Sequence, residues 1–235
     1  MQDSIADKSR PGVIALAGGA EFMESMDEVD DFILRLLGRD PKIIILPTAA
    51  ANENPRKAAR NGIKHFRRLG ARSEALMVVD LSSANDPEIV AKLSDADMVY
   101  MCGGSPAYLL SVLKGSAVMD AMLKRHEEGV TVAGSSAGAM VLCEKMHAPR
   151  DGASWVDGIG LVKGIVALPH FDRATPERVS EMLNSSPDGI GLCGIDEGTA
   201  AVYYNGEWKA VGPGQVTLLA KDGKRSYSSG QSFQI

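Results

Sequence analysis

The sequence predicts an α/β fold: a mostly parallel sheet with helices on both faces and a C-terminal antiparallel extension. Three observations predict it. As far as Ser135, short continuous apolar runs alternate with helical patterns, and unbroken apolarity marks strands covered on both faces. Glycine, proline or small polar residues follow these runs, where parallel strands hand over to helices. Beyond residue 185 the pattern changes to paired strand-like runs separated by turn dipeptides.

Each element has its own signal. Gly12–Leu16 is a short strand ending in Ala17-Gly18-Gly19-Ala20. Ser25 to Glu28 has the form of a capping box and opens a helix with Val29, Phe32, Ile33 and Leu36 on one face, which Gly38 stops. Lys42–Leu46 is a second strand, closed by Pro47, and Asn54-Pro55 starts a helix with Ala59, Ile63 and Phe66 inward. The basic set Arg56, Lys57, Arg60, Lys64, Arg67 and Arg68 on that helix reads as a solvated face. Glu74–Leu81 is a third strand, Asp86-Pro87 opens a short helix to Leu93, and Asp97–Cys102 is a fourth strand running into Gly103-Gly104. Ser105-Pro106, a cap followed by proline at the first helical position, opens the next helix, and Val118–His126 is helical again. Later, Gly164–Leu168 and Gly191–Ile195 are apolar runs, and the Asn205-Gly206 and Asp222-Gly223 turns join two hairpins, Ala200–Val211 and Gln215–Ser228.

The 235 residues suffice for one substantial core and one domain over 1–235. A net charge of −5 argues against a nucleic-acid partner, which needs a basic field. The longest apolar runs are too short to cross a bilayer, and the N-terminus lacks the apolar stretch of a signal peptide, so the expected setting is the cytoplasm without a membrane partner. Cys102, Cys143 and Cys193 are odd in number and lie in apolar contexts, which reads as reduced and buried. No histidine has metal-ligand spacing with them, so no metal is expected.

The stretch that carries chemistry is Val130 to Glu144. A β-branched run enters Gly134-Ser135-Ser136-Ala137-Gly138, and a small-residue helical pattern leaves it. This is the layout of a nucleophile elbow, in which G-x-S-x-G forces the serine onto a tight strand-to-helix turn. The new helix points its free N–H groups at the same spot, where an attacked carbonyl would develop negative charge. Ser136 needs a base, and His170 follows the run Gly164–Leu168, just past a strand end on the face where such sheets place their sites. His65 and His126 sit beside basic residues on amphipathic helices and read as exposed, and His147 is a weaker competitor. Asp196, Glu197, Asp151 and Asp172 compete to orient the base. Asp172 is close in sequence to His170, and aspartate is common in turns, whereas Glu197 is a poor turn residue. Gly103-Gly104 and the N–H of Ala137 are the expected oxyanion donors. Gly18-Gly19 lacks a full G-x-G-x-x-G and no acidic residue ends the second strand, which disfavours a dinucleotide site.

These residues together resemble the S51 serine peptidase family, in its cyanophycinase-like and aspartyl dipeptidase (peptidase E) branches. The resemblance spans about residues 12 to 215 and rests on five motifs in order: Gly18-Gly19-Ala20-Glu21, Cys102-Gly103-Gly104, Gly134 to Ala139, Gly158 to Leu161 with Pro169-His170-Phe171, and Gly194 to Ala200. It implies a class I glutamine amidotransferase-like fold with no cofactor, a triad of Ser136, His170 and Glu197, and oxyanion donors at Gly104 and Ala137. The dipeptidase branch would place the acid at Asp151 instead; the complete motif around Glu197 favours the cyanophycinase-like assignment. The resemblance also implies a homodimer and a small, acidic peptide substrate, with Arg173 or Arg178 receiving its carboxylate. Two departures bear on substrate. Ser105-Pro106 and Leu168-Pro169 stand where cyanophycinases have D-Q, and the segment after His170 is shortened, with Pro176 near the place of the dipeptidase arginine.

The expected activity is therefore hydrolysis of a peptide or isopeptide bond. The alternative is a non-catalytic protein binding a small ligand on the same scaffold. An α/β-hydrolase esterase is disfavoured, because that fold orders its triad Ser, acid, His along the chain.

Overall fold

A computed structural model of the chain describes residues 11–147, 155–221 and 223–235. The first half alternates strand and helix: β1 (Ile14–Ala17), α1 (Asp27–Leu37), β2 (Lys42–Leu46), α2 (Pro55–Arg68), β3 (Arg72–Ala75), α3 (Pro87–Ala91), β4 (Met98–Met101), α4 (Pro106–Leu113), α5 (Ala117–Glu127), β5 (Thr131–Ser135) and α6 (Ala137–Leu142). The second half carries β6 (Lys145–His147), β7 (Trp155–Asp157), β8 (Ile165–Pro169), α7 (Pro176–Ser185) and β9 (Gly191–Ile195). It ends with β10 (Ala200–Tyr204), β11 (Glu207–Val211), β12 (Gln215–Ala220), β13 (Gly223–Ser228) and β14 (Ser232–Phe233).

The main sheet has the order β14-β11-β10-β1-β5-β4-β2-β3. Pairings from β1 through β5, β4 and β2 to β3 are parallel, and β10, β11 and β14 add antiparallel to the β1 side. Its strands are apolar on both faces because both faces are covered. Ile14, Leu16, Ile44, Leu46, Val99 and Met101 enter one buried cluster with Leu109 of α4, Met122 of α5 and Val141 of α6. The alternate residues Ala15, Ala17, Ile43, Ile45, Met98 and Tyr100 pack on Val29 and Ile33 of α1 and Phe66 of α2. The predicted caps form: the side chains of Asn54, Asp86 and Ser105 accept from the first-turn N–H groups of Lys57, Glu88 and Tyr108.

The antiparallel extension is divided. The hairpin β10–β11, with Asn205 and Gly206 at φ 53° and 87°, has the positive-φ pair of a type I′ turn and joins the main sheet. The hairpin β12–β13 instead joins β9 and β8 in a second sheet of order β13-β12-β9-β8. One side of that sheet packs against the main core through Ile165, Ala167, Cys193 and Ile195. Val166, Leu168 and Leu192 on its other side meet Met182 of α7.

Three local expectations are corrected. The predicted strand Glu74–Leu81 pairs only over Arg72–Ala75, because the chain curls where the Val78 N–H donates to the Leu76 carbonyl. Ser25 is no helix cap: a 3-10 turn over Glu24–Met26 precedes α1, whose N-cap Met26 is itself in the αR region. His65 and His126 are 3% and 4% exposed rather than solvated. His65 lies beside Phe66 on the inward face of α2, and its Nε2 meets the buried Asp30 Oδ2 at 2.7 Å. His126 Nδ1–H donates to the Val130 carbonyl at 3.0 Å, and burial holds its imidazole below the ordinary pKa. Arg56, Lys57, Arg60, Lys64, Arg67 and Arg68 do form an exposed face. Among the described residues, no helix is long and apolar enough to cross a membrane.

Candidate active site

β5 delivers Ser136 on a strained bend. The residue sits at φ 50°, ψ −106°, a conformation that costs a non-glycine residue about 1–3 kcal/mol and persists only where its surroundings over-determine it. Those surroundings are close. The Ser136 N–H donates to the Ala17 carbonyl at 3.0 Å. A Cβ on Gly134 would lie 2.3 Å from the Gly138 backbone, and one on Gly138 would lie 2.6 Å from the Met101 carbonyl oxygen. Glycine at both positions lets α6 approach β5 and β4 around the serine.

His170 comes from the second sheet. It follows Pro169 of β8 in the left-handed region, at φ 54°, ψ 39°, and its N–H donates to the Gly18 carbonyl at 2.8 Å. Its ring lies over Gly19, where a Cβ would come within 2.4 Å of the imidazole Cε1. The glycine pair after β1 therefore seats the imidazole.

These placements bring Ser136 Oγ to 3.0 Å from His170 Nε2 and His170 Nδ1 to 2.6 Å from Glu197 Oε1. An ionised carboxylate only accepts, so Nδ1 carries the proton and donates to Glu197. Nε2 is then the free acceptor for the serine hydroxyl. The order along the chain is Ser, His, Glu.

Glu197 follows β9 and is held from three sides. Its N–H donates to Asp172 Oδ1 at 3.0 Å, its Oε1 receives His170, and its Oε2 accepts from Arg173 Nη2 at 2.6 Å. Its side chain is 22% exposed, against 69% for Arg173. Asp196 is engaged elsewhere: its Oδ2 accepts the N–H of Gln215, the first residue of β12, at 2.8 Å. Asp151 lies outside the described residues. His147, on β6, packs on the Trp155 ring at 5.0 Å between centroids.

Gly104 and Ala137 leave adjacent parallel strands at the same end. Met101 of β4 stands in register with Gly134 of β5, and each candidate donor is three residues further on. Ala137 is the first residue of α6, so its N–H is one of the helix's unpaired donors. Gly104, at φ 138°, passes so near the 48–50 turn that a Cβ would stand 2.3 Å from the Ala49 carbonyl oxygen.

Of the two expected substrate arginines, Arg173 has its guanidinium on the Glu197 carboxylate, and Arg178 is exposed on α7. Sequence reasoning missed what Asp172 and Glu21 touch. Glu21 Oε1 accepts the Gly103 N–H at 2.9 Å and its Oε2 accepts from Ser135 Oγ at 3.0 Å. Its place in the Gly18 to Glu21 motif was the one signal in the sequence. Separations of 82 and 114 residues hid its partners.

The family model described as peptidase family S51 matches residues 13–211. The chain belongs to peptidase family S51. A cyanophycinase of Synechococcus elongatus is 29% identical over 219 residues, covering 88% of this chain and 67% of that protein. A peptidase E of Citrobacter koseri is 26% identical over 167 residues, covering 66% of this chain and 68% of that one. The crystal structure of a peptidase from an acI-B1 Actinobacterium superposes with a TM-score of 0.88 at 27% identity, covering 97% of this chain and 98% of that one. The S51 match spans β1 through β11, and so includes Ser136, His170 and Glu197.

Proposed function

We propose that this S51 member is a serine peptidase cleaving a peptide or isopeptide bond in a small peptide substrate, with Ser136, His170 and Glu197 as its triad. The observation that carries the reading is the continuous relay of 3.0 Å and 2.6 Å from hydroxyl to imidazole to carboxylate.

His170 Nε2 takes the hydroxyl proton as Ser136 Oγ bonds to the scissile carbonyl carbon. The carbonyl oxygen becomes an oxyanion facing the N–H groups of Gly104 and Ala137. Glu197 keeps the Nδ1–H tautomer and stabilises the imidazolium. The C–N bond then breaks, and His170 returns the proton to the leaving amine. Water, deprotonated by His170, attacks the acyl-serine; the C–Oγ bond breaks, and the serine regains its proton. A purely binding role is less favoured, because the hydroxyl and ring are within hydrogen-bond reach. The three free cysteines are buried, with the Cys143 thiol pushed up to about 12 by burial, which suits a reducing compartment such as the cytoplasm.

A library of dipeptides and isoaspartyl peptides, incubated with the wild-type protein and with Ser136→Ala, tests the reading. Release of free amine from at least one member by the wild type, and loss of that release in the variant, is the expected result. Equal turnover by both proteins would overturn it.

A further inference from the structure

We propose that Glu21 is a positioning residue for the oxyanion site, one carboxylate that locks the Gly103-Gly104 turn to the nucleophile elbow. The inference rests on the reading of Gly104 and Ala137 as oxyanion donors.

Glu21 follows β1 in the chain and reaches the ends of β4 and β5. One oxygen accepts the N–H of Gly103, the residue before Gly104; the other accepts from the Oγ of Ser135, the residue before Ser136. The two donor-bearing segments thus share a single rigid bridge. The fit is specific: a Cβ on Gly103 would stand 2.6 Å from Glu21 Oε1, so a glycine there admits the carboxylate.

The carrier turn is built to hold this side chain in place. Ala20 and Phe22, on either side of Glu21, have φ of 59° and 66°, in the region that non-glycine residues avoid. The Phe22 ring is wedged between Tyr100, His65 and Phe66, at centroid distances of 5.2, 5.8 and 6.1 Å. A Cβ on Gly62 of α2 would come within 2.9 Å of that ring. Phe22 therefore anchors the strained turn in the core, and the strain aims Glu21 at the two segments. Glu21 makes no hydrogen bond to Ser136, His170 or Glu197, so its effect passes through Gly103 and Ser135.

Two readouts test this with the full chain. The first is amide hydrogen exchange of the peptides spanning residues 102–106 and 133–138. The second is the labelling rate with a fluorophosphonate, separated into probe affinity and maximal rate. Glu21→Ala frees both segments: exchange there rises about tenfold or more while α2 keeps its protection. The maximal labelling rate falls about tenfold to a hundredfold with affinity little changed, the scale of a misplaced reactive geometry. Glu21→Gln recovers most of the rate, because an amide oxygen can accept from Gly103 while its NH2 donates to Ser135. Ser135→Ala removes one anchor only and gives a smaller loss; it carries the test should Glu21→Ala fail to fold. Wild-type exchange and labelling in Glu21→Ala, or in Ser135→Ala when that variant stands in, would overturn the proposal. So would a Gln variant as impaired as the Ala variant. A wild-type protein that takes up no probe would instead overturn the hydrolase reading, and exchange alone would then decide the role of Glu21 as a brace.

Discussion

Arg173 meets Glu197 at 2.6 Å through the carboxylate oxygen that the His170 ring does not use. One short segment thus supplies the His170 ring and two groups that hold Glu197: Asp172 on its backbone and Arg173 on its side chain. This gives Arg173 a task other than receiving an acidic substrate.

The two tasks separate kinetically. With Arg173 exposed, the ion pair is worth about 1 kcal/mol or less, so Arg173→Gln lowers kcat by roughly fivefold at most and leaves KM for acidic and neutral peptides alike. Steady-state kinetics on a matched pair of substrates is the check. A KM rise confined to the acidic peptide would return Arg173 to substrate recognition.

Glu197→Gln keeps the shape of the site but removes the charge that fixes the Nδ1–H tautomer. The analogous change in a Ser-His-Asp triad costs about 10⁴ in kcat, and a loss on the order of 10³–10⁴ is expected here. Turnover within tenfold of wild type would shift the acid's role elsewhere, with Asp151 the first residue to test.

Gly19→Ala should damage the site although Ser136, His170 and Glu197 are all left in the sequence. The added methyl would fall 2.4 Å from His170 Cε1, at a φ of 132° that side chains rarely adopt. The ring must move, and a shift near 1 Å costs about a hundredfold in rate. Activity and unfolding temperature measured together distinguish a displaced ring from general loss of fold.

The buried pair Asp30–His65 supports α1 against α2, and desolvation raises the Asp30 carboxyl above its usual range. Asp30→Ala leaves the His65 Nε2–H without its acceptor and should cost about 1–3 kcal/mol in denaturant unfolding. The double change Asp30→Leu, His65→Leu should recover much of it, since apolar residues of similar volume often replace a buried pair without loss. Failure of the double variant to exceed the single one would show that the pair itself specifies the packing.

His126 sets a pH dependence. Its folded-state pKa lies below the ordinary 6.5 because burial disfavours the cation. The unfolded chain therefore binds the proton first as pH falls. The stability that comes from keeping this imidazole neutral is complete above pH 6.5 and declines from there down through the folded-state pKa. His126→Gln, which can still donate to the Val130 carbonyl, should flatten the curve of unfolding free energy against pH below that point. An unchanged curve would assign the acid sensitivity to other groups.

Features encoded locally were legible in the sequence. β9, β10, β11 and β12 fall where the apolar runs and turn dipeptides place them. Ser136 and His170 were legible because strand, glycine and serine or proline and histidine adjoin one another. Glu197 stood out as a poor turn residue among aspartates. Contacts between distant segments were not legible. His65 reads as exposed beside Arg67 and Arg68, since its partner Asp30 lies 35 residues away on another helix. β12–β13 reads as part of one sheet because an apolar pattern reports burial and not the neighbouring strand. Arg173 reads as free because nothing beside it in sequence announces Glu197.

The proposed mechanism stands or falls with the Ser136 hydroxyl as nucleophile. Incubation with a fluorophosphonate, proteolysis and mass spectrometry locate the adduct directly. A single phosphonyl group is expected on the peptide containing Ser136, absent in Ser136→Ala and formed far more slowly in His170→Ala. An adduct on another residue, or equal labelling of the Ser136→Ala protein, would contradict it.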